Sequence, residues 1–151
     1  MERGGDEKNL QVTPQQLKKA LVAAGFEVFR TLGEDVALAD RVRENLIMDS
    51  GVRLRSGADL QVKVVLRAQR ADFPSDDEAS LFERVRALAA PAIAKGFAEV
   101  GAAATPVNDP ADSERTLDTF YEVTFAKDVA DLDGALAEAT FAMGLDKAVR
   151  R

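Results

Sequence analysis

Residues 26–49 read FEVFRTLGEDVALADRVRENLIMD, and the division of this stretch into elements decides the fold. In an extended chain Phe26, Val28 and Leu32 fall on one side and Phe29 on the other. Apolar residues on both faces suit an interior strand. Glu34 and Asp35 are acids of the kind that favour a helix start. Leu38, Ala39, Val42 and Leu46 then recur at helical spacing, with Asp40, Arg41, Arg43 and Glu44 mostly off that stripe. The spacing predicts a strand over 26–33 and a helix over 36–49, stopped by Gly51. The competing division makes 26–42 two strands.

Upstream, residues 1–12 are polar, contain Gly-Gly and read as a flexible tail. Thr13 and Gln16 form a capping box around Pro14. Leu17, Leu21 and Ala24 share the face of a short helix that Gly25 stops. Downstream, Val52 and Leu54 alternate with Arg53 and Arg55, SGAD makes a turn, and Leu60, Val62, Val64 and Leu66 alternate again. This is a hairpin with one apolar and one basic face. Ser75 and Glu78 suggest a second capping box. The helix behind it carries Leu81, Val85, Leu88 and Ala92, continues through Ile93, Phe97 and Val100, and is kinked or broken at Pro91. Residues 102–116 read as a long connection, a candidate functional or flexible loop. A strand over 117–126 places Thr119, Tyr121, Val123 and Phe125 on one face and Phe120, Glu122 and Thr124 on the other. A last helix is capped by Asp128 or Asp131 and carries Leu132, Leu136, Ala139 and Met143.

The predicted order is α, then βαββαβ, then α. It implies an α+β fold: a ferredoxin-like antiparallel sheet with added N- and C-terminal helices, in a single domain over 13–151. With 26–42 as two strands the order becomes similar to that of small acidic secretion chaperones, the alternative reading.

The chain has 151 residues, 46% of them hydrophobic and 30% charged, a profile suited to a globular core. It lacks a run long enough to span a membrane and the apolar middle of a signal peptide, so a cytoplasmic, bacterial protein is expected. There is no cysteine and no histidine. That removes thiol chemistry, histidine bases and the usual zinc sites. No P-loop, GxGxxG or nucleophile-elbow pattern is present. The expectation is a non-enzyme with no cofactor and no metal. Charge is uneven: residues 71–151 carry eight basic and sixteen acidic side chains. A field of that sign opposes nucleic acid as a partner.

The candidate contact residues lie in 38–67. Arg41 and Asn45 share a face if 36–49 is helical, and Asp40–Arg43 and Arg41–Glu44 have helix-pair spacing. Arg43 lies off that face, and Arg53 and Arg55 share a strand face with Lys63 and Arg67. Ile47 and Met48 fall outside the apolar stripe, among arginines, as residues of an interface core do. They lead to a protein-interaction or adaptor domain, homodimeric or bound to another protein. A regulatory domain that takes a small anion on Arg41, Arg43, Arg53 or Arg55 is the second reading. A carboxylate and divalent-metal enzyme is the third. The acids Asp72, Asp76, Asp77 and Glu78 are read as helix-starting charge, and Asp109, Asp112, Glu114 and Asp118 as loop acids open to metal or partner.

Overall fold

In the computed structural model, which describes residues 11–149, the stretch 26–49 contains no helix. It holds β1 (Val28–Leu32), β2 (Asp35–Arg43) and the start of β3 (Leu46–Arg55). The competing division of 26–42 into two strands is the one adopted. The apolar spacing of 36–46 fits either period, and the decision falls to Glu44-Asn45, which forms the tight turn between β2 and β3. Asn favours turns because its side chain competes for local backbone groups.

Among the described residues the order is α1 (Pro14–Ala23), β1, β2, β3, β4 (Gln61–Gln69), a 3₁₀ turn (Arg70–Asp72), α2 (Glu78–Leu88), α3 (Ala90–Ala94), β5 (Ala98–Asp109), β6 (Asp112–Asp128) and α4 (Leu132–Val149). The fold is α+β, with a six-stranded antiparallel sheet in the order β1-β2-β3-β4-β6-β5 and four helices among the described residues. This order and helix placement replace the ferredoxin-like βαββαβ expectation. Two compact units divide the chain: 1–64 with 126–151, and 65–125. The tail predicted over 1–12 lies outside the described residues as far as position 10, and Val12 bridges Gly57.

In the first unit the hairpin predicted around SGAD forms, with Val52 opposite Val64 and Leu54 opposite Val62. These four side chains, with Val36 and Leu38, are fully buried. α1 packs on β1 and β2, and α4 packs on β3. The α1 start is as expected, with the Thr13–Gln16 capping box and Pro14 in the first turn. Its stop is a Schellman arrangement, Phe26 N–H donating to Leu21 O and Gly25 N–H to Val22 O. Asp131 caps α4 by accepting from Gly134 N–H. The buried residues of α4 are Ala135, Ala139 and Ala142, with Leu145 and Asp146 in its last turns. Small side chains let a helix axis approach its neighbour closely. Leu132, Leu136 and Met143, expected on the buried face, are half-buried.

The second unit buries Leu66, Leu81, Val85, Phe97, Tyr121, Val123 and Phe125. α2 is capped by Asp77, whose carboxylate accepts from Ser80 N–H, and not by Ser75. The helical run breaks at Pro91 as expected, α3 beginning one residue before it. The helix does not continue to Val100. Gly96, at φ 98°, ends it with a second Schellman arrangement, Phe97 N–H donating to Ala92 O and Gly96 N–H to Ile93 O. From Ala98 the chain is strand. The connection expected over 102–116 is the turn end of a long hairpin, β5 and β6, joined at Pro110-Ala111.

Candidate functional site

The arginines expected to form a basic surface lie on β2 and β3 of the first unit. β2 pairs with β3 so that Arg41 lies opposite Ile47, Asp40 opposite Met48, Ala37 opposite Arg53, and Asp35 opposite Arg55. Arg53 is also opposite Lys63 on β4. Four of these cations have an acid in reach. Arg41 donates to both carboxylate oxygens of Glu27 and to Glu44 O, so its partner is not the Glu44 side chain that helical spacing predicted. Arg53 holds Asp49 at 2.8 Å, Lys63 lies 3.4 Å from Asp35, and Arg55 lies 3.7 Å from Glu34. Together they form a ladder of alternating charge. Arg53 Nη1 is buried without a hydrogen-bond partner among the described residues, in a group whose Nη2 is already held by Asp49.

Around the β2–β3 turn the geometry differs from the helical expectation. Arg41 and Asn45 do not share a helix face, since Asn45 is in the turn. Arg43 is exposed at the end of β2, opposite Leu46. Ile47 and Met48 are 37% and 46% exposed, so neither completes the core. Val42, also exposed, is the extra residue of a register shift between Arg41 and Arg43. Gly51, expected as a helix stop, lies inside β3 at φ 86°. There β3 carries an irregularity opposite Leu38, plugged by Ser50, whose hydroxyl donates to Leu38 O and accepts from Val52 N–H.

Aromatic side chains that could stack on a base are engaged. Tyr121 is buried, in edge contact with Phe82, and Arg70 donates to its hydroxyl. Phe120 lies 4.8 Å beneath the Arg67 guanidinium. The acidic run is divided between local tasks, Asp77 capping α2 and Asp76 pairing with Arg84. Among the described residues no group of three or more acids stands together as a metal site, and no helix is long and apolar enough to cross a membrane.

The feature that sequence spacing missed is β5. It is the last strand of the sheet order, and every residue from Ala98 to Asn108 is exposed. Val100 is 61% exposed. Between Glu99 and Asp109 the strand carries no charge, and Glu99 is held by Arg86 of α2 at 2.9 Å. An edge strand presents unpaired N–H and C=O groups, which native proteins normally guard with short length, charge or bulges. The opposite edge, β1, is guarded in this way: five residues, a register shift at Phe29, and Arg30 within it. β5 has twelve residues and one proline, Pro106.

Among the described residues three carboxyls lie below the usual range: Glu27 through the Arg41 hydrogen bond, Glu99 through that of Arg86, and Asp77 through the Ser80 amide. A lowered folded value stabilises the fold above the ordinary carboxylate range, and that contribution is lost as pH falls through the folded value. All three are at the surface, where such pairs contribute little. With no histidine or cysteine to titrate, the melting temperature should be flat between about pH 6 and 8 and fall only below about pH 4.5. A calorimetric pH series checks this; a slope centred near neutrality would contradict it.

No protein-family model matches the chain, and no solved structure matches it.

Proposed function

We propose that this protein is a non-enzymatic protein-interaction domain that works as a homodimer, with the β5 edge as its contact element. The observation that carries the reading is the contrast between the two sheet edges, β1 short and guarded, β5 long, uncharged from Val100 to Asn108, and exposed throughout. An edge of this kind is a template for another strand, whose main-chain bonds supply affinity. The anion-binding alternative has less support. Arg41, Arg53 and Arg55 would each have to leave an acid before a ligand could use them.

The tip of the β2–β3 hairpin is a second contact candidate. Val42, Ile47 and Met48 are exposed there, beside Arg41, Arg43 and Asn45.

Sedimentation equilibrium tests the homodimer. The wild-type chain is expected to be dimeric at micromolar concentration. Val100→Lys puts a charge on the open edge, as guarded edges have, and is expected to give a folded monomer. A wild-type chain that stays monomeric into the millimolar range sinks the reading.

A further inference from the structure

We infer that the occupant of the β5 edge is the β5 strand of a second copy, antiparallel, with residues 98–104 of one chain against 104–98 of the other and Gly101 on the two-fold axis. This rests on the strand-addition reading above and adds the direction, the register and the end of the pairing.

The end is set by Pro106. Proline has no N–H, so inside a strand it is tolerated where its nitrogen faces away from the neighbouring strand, on the open side of an edge. Pro106 therefore removes one donor from the edge that β5 presents. The strand begins at Ala98, and Ala104 is the last residue before Pro106 whose nitrogen shares the proline's direction. The stretch in which every outward group keeps its donor is 98–104, and its midpoint is Gly101.

The direction is set by charge. The second unit carries six basic and eleven acidic side chains, and acids crowd the hairpin end: Asp109, Asp112 and Glu114. A parallel pairing would bring these two acidic ends together. In the antiparallel pairing Asp109 of each copy lies eight residues from the axis on opposite sides, about 50 Å from its counterpart at the usual rise per residue. Glu99 meets Ala103 of the other chain, and the two Glu99 residues lie about 13 Å apart along the strands. That exceeds the Debye length of about 8 Å at physiological ionic strength. A second copy thus meets no close like-charge pair on this edge. It also presents the same unguarded, uncharged length, which is what strand pairing requires and what a charged, guarded edge denies.

Gly101 agrees with a position on the axis. Its φ is not in the left-handed region, and a Cβ built on it meets nothing within 4 Å. The single chain gives no reason for glycine there, although glycine weakens a strand. The same open space means that side chains can be introduced without a clash.

The chain has no cysteine of its own, so single-cysteine variants report one contact each. Cysteine is placed in turn at 100, 101, 102, 103 and 104, and the purified full-length variants are oxidised with diamide. Residues facing each other across an antiparallel pair lie within disulfide reach, whereas Cα atoms more than about 7 Å apart do not. Gly101→Cys is expected to give most of the disulfide-linked dimer. Positions 103 and 104 should give at least tenfold less, because each is displaced from its counterpart by four or more residues. Ala104→Pro removes an outward donor at a position equivalent to Pro106. It should weaken dimerisation at least tenfold while leaving the circular dichroism spectrum and melting temperature of the monomer unchanged. A dimer in sedimentation whose cross-linking is absent at 101, or strongest at 103 or 104, overturns this register and leaves the homodimer reading standing. A monomeric wild-type chain overturns both.

Discussion

Phe125→Ala is expected to destabilise the protein by about 3–5 kcal/mol, the cost of truncating a buried aromatic to alanine. Phe125 is the largest of the fully buried side chains. It stands on β6 in the alternation Tyr121, Val123, Phe125, whose members are all buried, while Phe120, Glu122 and Thr124 face the other side, half-buried. The truncation removes transfer energy and leaves a cavity that the flanking strand cannot fill without breaking its ladder. For a chain of this length each kcal/mol moves the melting temperature by about 2–4 °C, so a fall of roughly 6–20 °C should appear in a thermal scan. Phe125→Leu, which keeps most of the volume, should cost about 1–2 kcal/mol. Equal losses for the two variants would mean that the side chain is not packed as described.

Ser50→Ala is the second large effect, and it comes from hydrogen bonding. Ser50 is fully buried, donates to Leu38 O at 2.8 Å and accepts from Val52 N–H at 3.0 Å. Alanine fits the space but leaves a carbonyl and an amide without these bonds. Each buried orphan costs about 1–3 kcal/mol. Urea unfolding should show the midpoint falling with the slope unchanged. Gly51→Ala, beside it, meets a different penalty, because φ 86° is unfavourable for any residue with a Cβ. If Ser50→Ala is as stable as the wild type, the plug does not hold this irregularity.

The features legible in the sequence are those with one unambiguous local signal. The Thr13–Gln16 box, the break at Pro91, the β3–β4 hairpin and the inward face of β6 each rest on a strong signal of cap, proline or period. The segment 36–49 has two valid periods. Leu38, Val42 and Leu46 fit a helix, whereas Val36 and Leu38 inside with Arg41 and Arg43 outside fit a strand. Only the turn at Glu44-Asn45 separates the two. β5 is hidden by composition: AEVGAAAT is rich in alanine and comes after a real helix, so the helical face reads as continuing. The signal against that is Gly96, placed as Gly25 is placed after α1 and ending its helix with the same pair of hydrogen bonds. The arginine partners are out of reach for another reason. Arg41 meets Glu27 fourteen positions away across the β1–β2 turn, a pairing that comes from register and not from spacing.

If copies pair through β5 as proposed, the poor quality of β1 as a template sets how assembly counts. Open-ended growth of a sheet requires two receptive borders on every molecule, one to accept and one to offer. A chain with one receptive border, used up by a symmetric partner, exhausts its valence at two. In the proposed β5 pairing, five short residues with Arg30 and a misaligned Phe29 would act as a stop signal for polymerisation, although they lie far in sequence from β5. Replacing those residues with a long, regular, uncharged strand would restore the second valence, and the expected product is a fibre.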